Sequence, residues 1–129
     1  MRRRLAEDGI PPGARGLDVG CGQGWYATEM ARAGYAMTAF DRSADQVVRA
    51  RRYAAERGAA VDFAVRDAAA LPYPDASFDF AYSINVLHHI ASAEARAAAL
   101  DEIVRVLKPR GVFLLHEIST ENPLGPMEI

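Results

Sequence analysis

A doubly wound α/β fold built on a parallel sheet is the class this sequence predicts, on three observations. Short apolar runs alternate with segments of helical period along the whole chain. Glycine and proline punctuate nearly every change between them. Three consecutive strand-like runs each carry an aspartate at or just past their carboxyl end: Asp18, Asp41 and Asp67.

The elements follow in order. Arg2, Arg3 and Arg4 read as a solvated helix start. Leu5 to Ala14, with Gly9, Pro11, Pro12 and Gly13, reads as a loop into the first strand, Arg15 to Val19. Glycines 20, 22 and 24 then force a turn. Trp25 to Ala33 has a helical face of Ala27, Met30 and Ala31, stopped by Gly34. Tyr35 to Phe40 is the second strand. Ser43 with Gln46 has capping-box spacing, opening a helix with a stripe of Ala44, Val47, Val48, Ala54 and Ala55 that ends at Gly58. Val61 to Val65 is the third strand, Leu71 to Ser77 a proline-bearing loop, and Phe78 to Ser83 the fourth strand. Ser92 caps a helix with a stripe of Ala97, Leu100, Ile103, Val104 and Leu107, ended by Lys108 to Gly111. Val112 to Ile118 is the fifth strand, and residues 119–129 read as an irregular tail. If the first three strands wind one way and the last two the other, right-handed crossovers give the order 3-2-1-4-5. The crevice then lies at the carboxyl ends of strands one and four.

Composition narrows the function. The chain has 129 residues, half of them hydrophobic and a quarter charged, with a net charge of −2. That is a single domain, residues 1–129 with a core over 14–118, and the apolar content is too high for intrinsic disorder. So small a charge argues against a nucleic-acid partner held by bulk electrostatics. No apolar run reaches the length of a membrane span. The basic start has no apolar region behind it and is not a secretory signal. One cysteine, Cys21, leaves no internal disulfide and suits a reducing cytoplasm. The 25 alanines and 14 arginines against one lysine read as coding bias.

The chemistry gathers at the strand ends. In LDVGCGQG, Leu17 to Gly24, glycines let the backbone turn tightly and approach a ligand, and the helix start offers free N–H groups. Asp41 can accept two charge-assisted hydrogen bonds from a ribose diol. Asp67 can accept from an exocyclic amine while the Ala68 N–H donates to a ring nitrogen. The glycine spacing is G-x-G-x-G, not the G-x-G-x-x-G of nicotinamide enzymes, which counts against an oxidoreductase of similar fold. Each acid could be incidental alone; three on consecutive strands are harder to attribute to chance.

LDVGCGQG, AFDRS, RDAAALPYPDASFDFAYSINVLHHI and EIVRVLKPRGVFLLHEI, in that order over Gly16 to Ile118, make the chain resemble a class I S-adenosylmethionine-dependent methyltransferase. The group is that of small-molecule and quinone-pathway enzymes. The resemblance implies a Rossmann-like sheet, S-adenosyl-L-methionine as cofactor and a small-molecule methyl acceptor. It implies that Asp18 with Gly20, Cys21, Gly22 and Gly24 holds the methionine part. Asp41 would take the ribose, and Asp67 with Ala68 the adenine. Ser83 and Asn85 would line the site near the sulfonium. Arg42 either covers the adenine or is solvated. Alignment of acceptor and methyl group is the main requirement, and a base is needed only for an acceptor that must lose a proton. His88 and His89 are the candidates for that base, though packing is the simpler reading of either. They are poor metal ligands, because adjacent side chains diverge, and no metal is expected. Cys21 has no base to activate it. Trp25 and Tyr26 read as core residues at a helix start.

The resemblance also implies two further strands after the fifth, which this chain lacks. The fifth strand would then present an apolar edge, covered by the tail, by a second copy or by more of a longer enzyme. The alternative to a working enzyme is a cofactor-binding or interaction module of the same fold without catalysis.

Overall fold

In the computed structural model the described residues are 2–84, 86–117 and 127–128. Their order is α1 (Arg2–Glu7), β1 (Arg15–Val19), α2 (Trp25–Arg32), β2 (Ala36–Asp41), α3 (Ala44–Glu56), β3 (Val61–Val65), β4 (Phe78–Ile84), a 3₁₀ turn (Leu87–His89), α4 (Ala93–Val106), β5 (Leu107–Glu117) and β6 (Met127–Glu128). One sheet runs β3-β2-β1-β4-β5-β6, with β1 to β5 parallel and β6 antiparallel to β5. The predicted order 3-2-1-4-5 is therefore present, and the chain reverses its winding between β3 and β4.

Alternation along the strands divides the core into two layers. One face of the sheet packs Met37, Ala39, Phe63, Phe80 and Tyr82 against Ala27 and Met30 of α2 and Val47, Ala50 and Ala54 of α3. The other packs Leu17, Val19, Phe40 and Ala81 against Ala99, Ile103 and Val106 of α4. Both faces of the central strands are covered, so β1 and β4 are buried along nearly their whole length, Asp18 and Ser83 included.

Four local expectations change. Leu5 belongs to a helix, not a loop: it is buried in the core, and Gly9, with φ of 77°, follows the end of α1. The buried stripes of α3 and α4 are Val47, Ala50 and Ala54, and Ala99, Ile103 and Val106. Val48 and Leu100 are exposed, and Val104 is 69% exposed. In α4 alanine lies on several sides, and in α3 the adjacent Val47 and Val48 point to different faces, so apolar periodicity alone fixed their rotation poorly. Lys108 to Gly111, expected only to end the helix before a strand starting at Val112, already belong to β5. The chain leaves α4 at Leu107 directly into extended backbone, and the register with β4 shifts between Phe78 and Phe80. That irregularity accommodates Pro109, which has no N–H to give the ladder. Finally, the tail is not wholly irregular: β6 pairs Glu128 with His116 and Met127 with Glu117.

An arginine holds the β3–β4 connection. Arg105 on α4 donates to the carbonyls of Leu71 and Tyr73, to Asp75 and to Glu102, while Glu102 also accepts from the Leu71 N–H at 2.9 Å. The prolines of this loop withhold N–H donors, and its carbonyls find a fixed guanidinium fork in their place.

Candidate functional site

The carboxyl ends of β1, β2 and β4 and the segment after β3 surround two adjoining hollows. The larger, about 640 Å³, is lined by Val19, Gly20, Gly22, Phe40, Asp41, Arg42, Gln46, Asp67, Ala68, Ala69, Ile84, Val86 and His89, with Ile90, Ala95 and Ala99 closing its apolar side. The smaller, about 360 Å³, is lined by Asp18, Gly20, Cys21, Gly22, Gln23, Trp25, Tyr26 and Ile84. Gly20, Gly22 and Ile84 belong to both.

The turn between β1 and α2 is shaped by left-handed backbone. Gly24, φ 82°, is pressed into α3: a Cβ there would lie 2.8 Å from the Ala50 Cβ and 3.2 Å from Phe63 Cζ. Gly22, φ 54°, meets nothing within 4 Å, so its missing side chain leaves open space at the mouth of both hollows. Gly24 serves packing and Gly22 serves access.

Asp41 ends β2 and fastens this turn. Its Oδ2 accepts the Gly22 N–H and its Oδ1 accepts the Ser43 N–H, each at 2.9 Å. A carboxylate offers about four acceptor sites, so two remain for a ligand. Ser43 Oγ accepts the Gln46 N–H at 3.3 Å, which is half of the expected capping box. The other half fails because Asp41 has taken the Ser43 N–H. Gln46 is thereby released, and its Oε1 is buried without a hydrogen-bond partner among the described residues, at the wall of the larger hollow. Sequence reading saw Gln46 only as a cap. Its place in the first turn after Asp41 was the available signal.

Asp67 lies two residues past β3, exposed, and its Oδ1 accepts the Ala69 N–H at 2.9 Å in a local turn. Ala68 beside it is buried. Asp18 lies within β1, next to Tyr82 in the β1–β4 ladder, and accepts the Tyr82 hydroxyl at 2.9 Å. Burial pushes the Asp18 carboxyl up to about 7, against the Tyr82 hydroxyl, which pulls it down; the nearby Asp41 charge adds to the rise. Burial, with Asp18 and Asp41, likewise pushes the Cys21 thiol well above its ordinary range, so it is not a ready nucleophile.

Other expected residues separate from this group. Ser83 is fully buried on β4, its Oγ without a partner among the described residues, and it lines neither hollow; Ile84 does. Asn85 lies outside the described residues. His88 and His89 sit in the 3₁₀ turn, where His89 is exposed at the rim of the larger hollow; the His88 side chain lies outside the described set. Trp25 and Tyr26 are not core residues: they are 58% and 53% exposed and border the smaller hollow. Among the described residues no cluster of His, Cys, Asp and Glu could hold a metal ion.

A parallel sheet with a glycine turn after its first strand, and acids at or after its first three, defines a nucleoside-binding domain of Rossmann type. The family model described as "Methyltransferase domain" matches residues 17–115, and the chain belongs to that family. It is 43% identical over 117 residues to the 27-O-demethylrifamycin SV methyltransferase of Amycolatopsis mediterranei, covering 88% of this chain and 42% of that protein. It is 40% identical over 112 residues to a sterol 24-C-methyltransferase of Gibberella zeae, covering 84% and 29%. A solved S-adenosylmethionine-dependent methyltransferase from Methanosarcina mazei superposes with a TM-score of 0.84 at 28% identity, covering 91% of this chain and 58% of that one. The domain is thus of the S-adenosylmethionine-dependent methyltransferase class. It spans less than half the length of those two curated relatives.

Proposed function

We propose that residues 1–129 form one domain that binds S-adenosylmethionine across the two hollows and directs its methyl group to a small-molecule acceptor. The observation that carries this reading is Asp41, anchored by two backbone amides with acceptor capacity left facing the larger hollow. The donor set fits the cofactor. Asp41 and the Gln46 carbonyl oxygen are acceptors for ribose hydroxyls, and Asp67 is an acceptor for an exocyclic amine above the apolar wall of Phe40, Ala68 and Ala99. Asp18 and the Gly20–Gly24 turn are assigned to the amino-acid end, in the smaller hollow. Arg42 is assigned to the edge of the adenine pocket.

When bound, the cofactor's sulfonium supplies an activated methyl group. The chain's own contribution is to hold the nucleoside rigidly and to present its apolar wall, which excludes water. If the acceptor is a hydroxyl, His89 at the rim, or its neighbour His88, is the base to take its proton. The relatives named for a sterol and for a rifamycin point to an acceptor with a large apolar body, and Trp25 and Tyr26 at the mouth of the smaller hollow suit such a surface. A cytoplasmic location goes with this reading; among the described residues no helix is long and apolar enough to cross a membrane.

Titration calorimetry with S-adenosylhomocysteine tests the proposal. Saturable binding that Asp41→Ala weakens by about 1.5–3 kcal/mol is expected. Equal affinity of the two proteins would remove Asp41 from the site, and binding of NAD in place of S-adenosylhomocysteine would overturn the cofactor.

A further inference from the structure

Tyr82 is fully buried on β4. It stands beside Asp18 in the β1–β4 ladder, so both side chains rise from the sheet face that α2 and α3 cover. Its ring stacks on Phe80 with centroids 6.4 Å apart, which fixes the direction of its hydroxyl. That hydroxyl donates to Asp18 Oδ2 at 2.9 Å.

Asp18 itself is 3% exposed, yet it lines the smaller hollow. The groups around it are Tyr82 from β4, Asp41 from β2, the Cys21 thiol from the turn and, next to Tyr82, Tyr26 from α2. None of these is a cation. A buried carboxylate with a neutral donor and an acid for company is an unfavourable anion, and it gains when a cation enters beside it.

We propose that Tyr82 is a positioning residue: it holds Asp18 toward the smaller hollow, and this pair receives the cationic amine of the cofactor's amino-acid end. Where Asp18 is protonated in the free domain, binding exchanges that proton for the amine. The proton goes to solvent, and an ammonium–carboxylate pair replaces the neutral acid. The inference rests on the assignment of the smaller hollow to the methionine end. Burial supports the exchange by holding the free Asp18 carboxyl protonated below about pH 7, while the Tyr82 hydroxyl favours the ionised form. Losing that hydroxyl therefore raises the pH at which the site becomes competent.

Calorimetry of the wild-type chain at pH 6 to 7.5, in buffers of low and high ionisation enthalpy, counts the protons released. S-adenosylhomocysteine is expected to release close to one proton at pH 6 and few at pH 7.5, with affinity rising nearly tenfold over that interval. Adenosine, which lacks the amino-acid end, is expected to show neither effect, and contributions from the nucleoside site are common to both ligands and cancel. Tyr82→Phe shifts the pH dependence upward, and Asp18→Asn abolishes it. A change in packing alone lowers affinity equally at every pH and leaves the midpoint in place. Binding of S-adenosylhomocysteine without proton release, or release equal to that with adenosine, overturns this inference and leaves the cofactor assignment standing. Failure of the wild-type chain to bind S-adenosylhomocysteine at any pH overturns both. The two-ligand comparison needs no variant, so it holds even if Tyr82→Phe does not fold.

Discussion

Asp41 both builds the site and faces it. By accepting from Gly22 and Ser43 it locks the glycine turn onto β2 and begins α3. Asp41→Asn keeps the shape but offers one acceptor oxygen where the carboxylate offers two, so it should weaken nucleoside binding and loosen residues 20–24; hydrogen exchange of the Gly22 amide reads the second effect. The two glycines of the turn should separate in their consequences. Gly24→Ala drives a methyl into Ala50 at a left-handed φ and should destabilise the fold by roughly 1–3 kcal/mol. Gly22→Ala has room and should keep more stability, while its methyl stands in the mouth of both hollows and lowers affinity. Denaturant melts beside calorimetry on the two variants distinguish these outcomes. Asp18 sets a pH dependence of stability. Its carboxyl is raised from 3.8 to about 7 on folding, so the folded state takes up a proton between those values. The stability from that uptake is complete below the unfolded value and lost as pH rises through 7. The free chain should lose stability from pH 6 to 8, and Asp18→Asn should flatten the decline. A wild-type curve rising across that interval to the same extent as the variant's would remove the assignment.

At the scale of elements, the strands and the acids at their ends were legible, because short apolar runs between glycine and proline breaks, and acids at the ends of those runs, are local features. The faces of α3 and α4 were less so: adjacent apolar residues in each offer more than one stripe, tertiary packing decides the rotation, and Val48 and Val104 turn outward. Gln46 was hidden for a related reason. Its spacing from Ser43 satisfied a capping motif, and only the fold reveals that Asp41 displaces it from that role. Ser83 is buried and lines neither hollow while Ile84 lines both, since one residue along a strand changes the face. Arg105 carried no motif of its own, yet it supplies donors to two loop carbonyls and two acids across the β3–β4 connection. Arg105→Ala should lower the melting temperature and open residues 71–77 to protease. Arg105→Lys should recover little of this, because an ammonium cannot fork to the same set. A lysine variant with the melting temperature and protease resistance of the wild type would contradict the role given to the guanidinium.

For the whole molecule, the reversal of winding between β3 and β4 brings strand ends distant in sequence around one crevice, and distinct layers of core back the two sheet faces. The fifth-strand edge is paired by β6 only at His116 and Glu117 among the described residues. An apolar strand at a sheet edge favours association, and sedimentation at rising concentration should show dimers; a monomer throughout would contradict this. A crystal structure with S-adenosylhomocysteine decides whether the crevice holds the nucleoside. Ribose hydroxyls are expected on Asp41, adenine between Asp67 and the Phe40–Ala68 wall, and the amino-acid end beside Asp18. A nucleoside bound elsewhere, with Asp41 and Asp18 keeping only their protein partners, would contradict that placement.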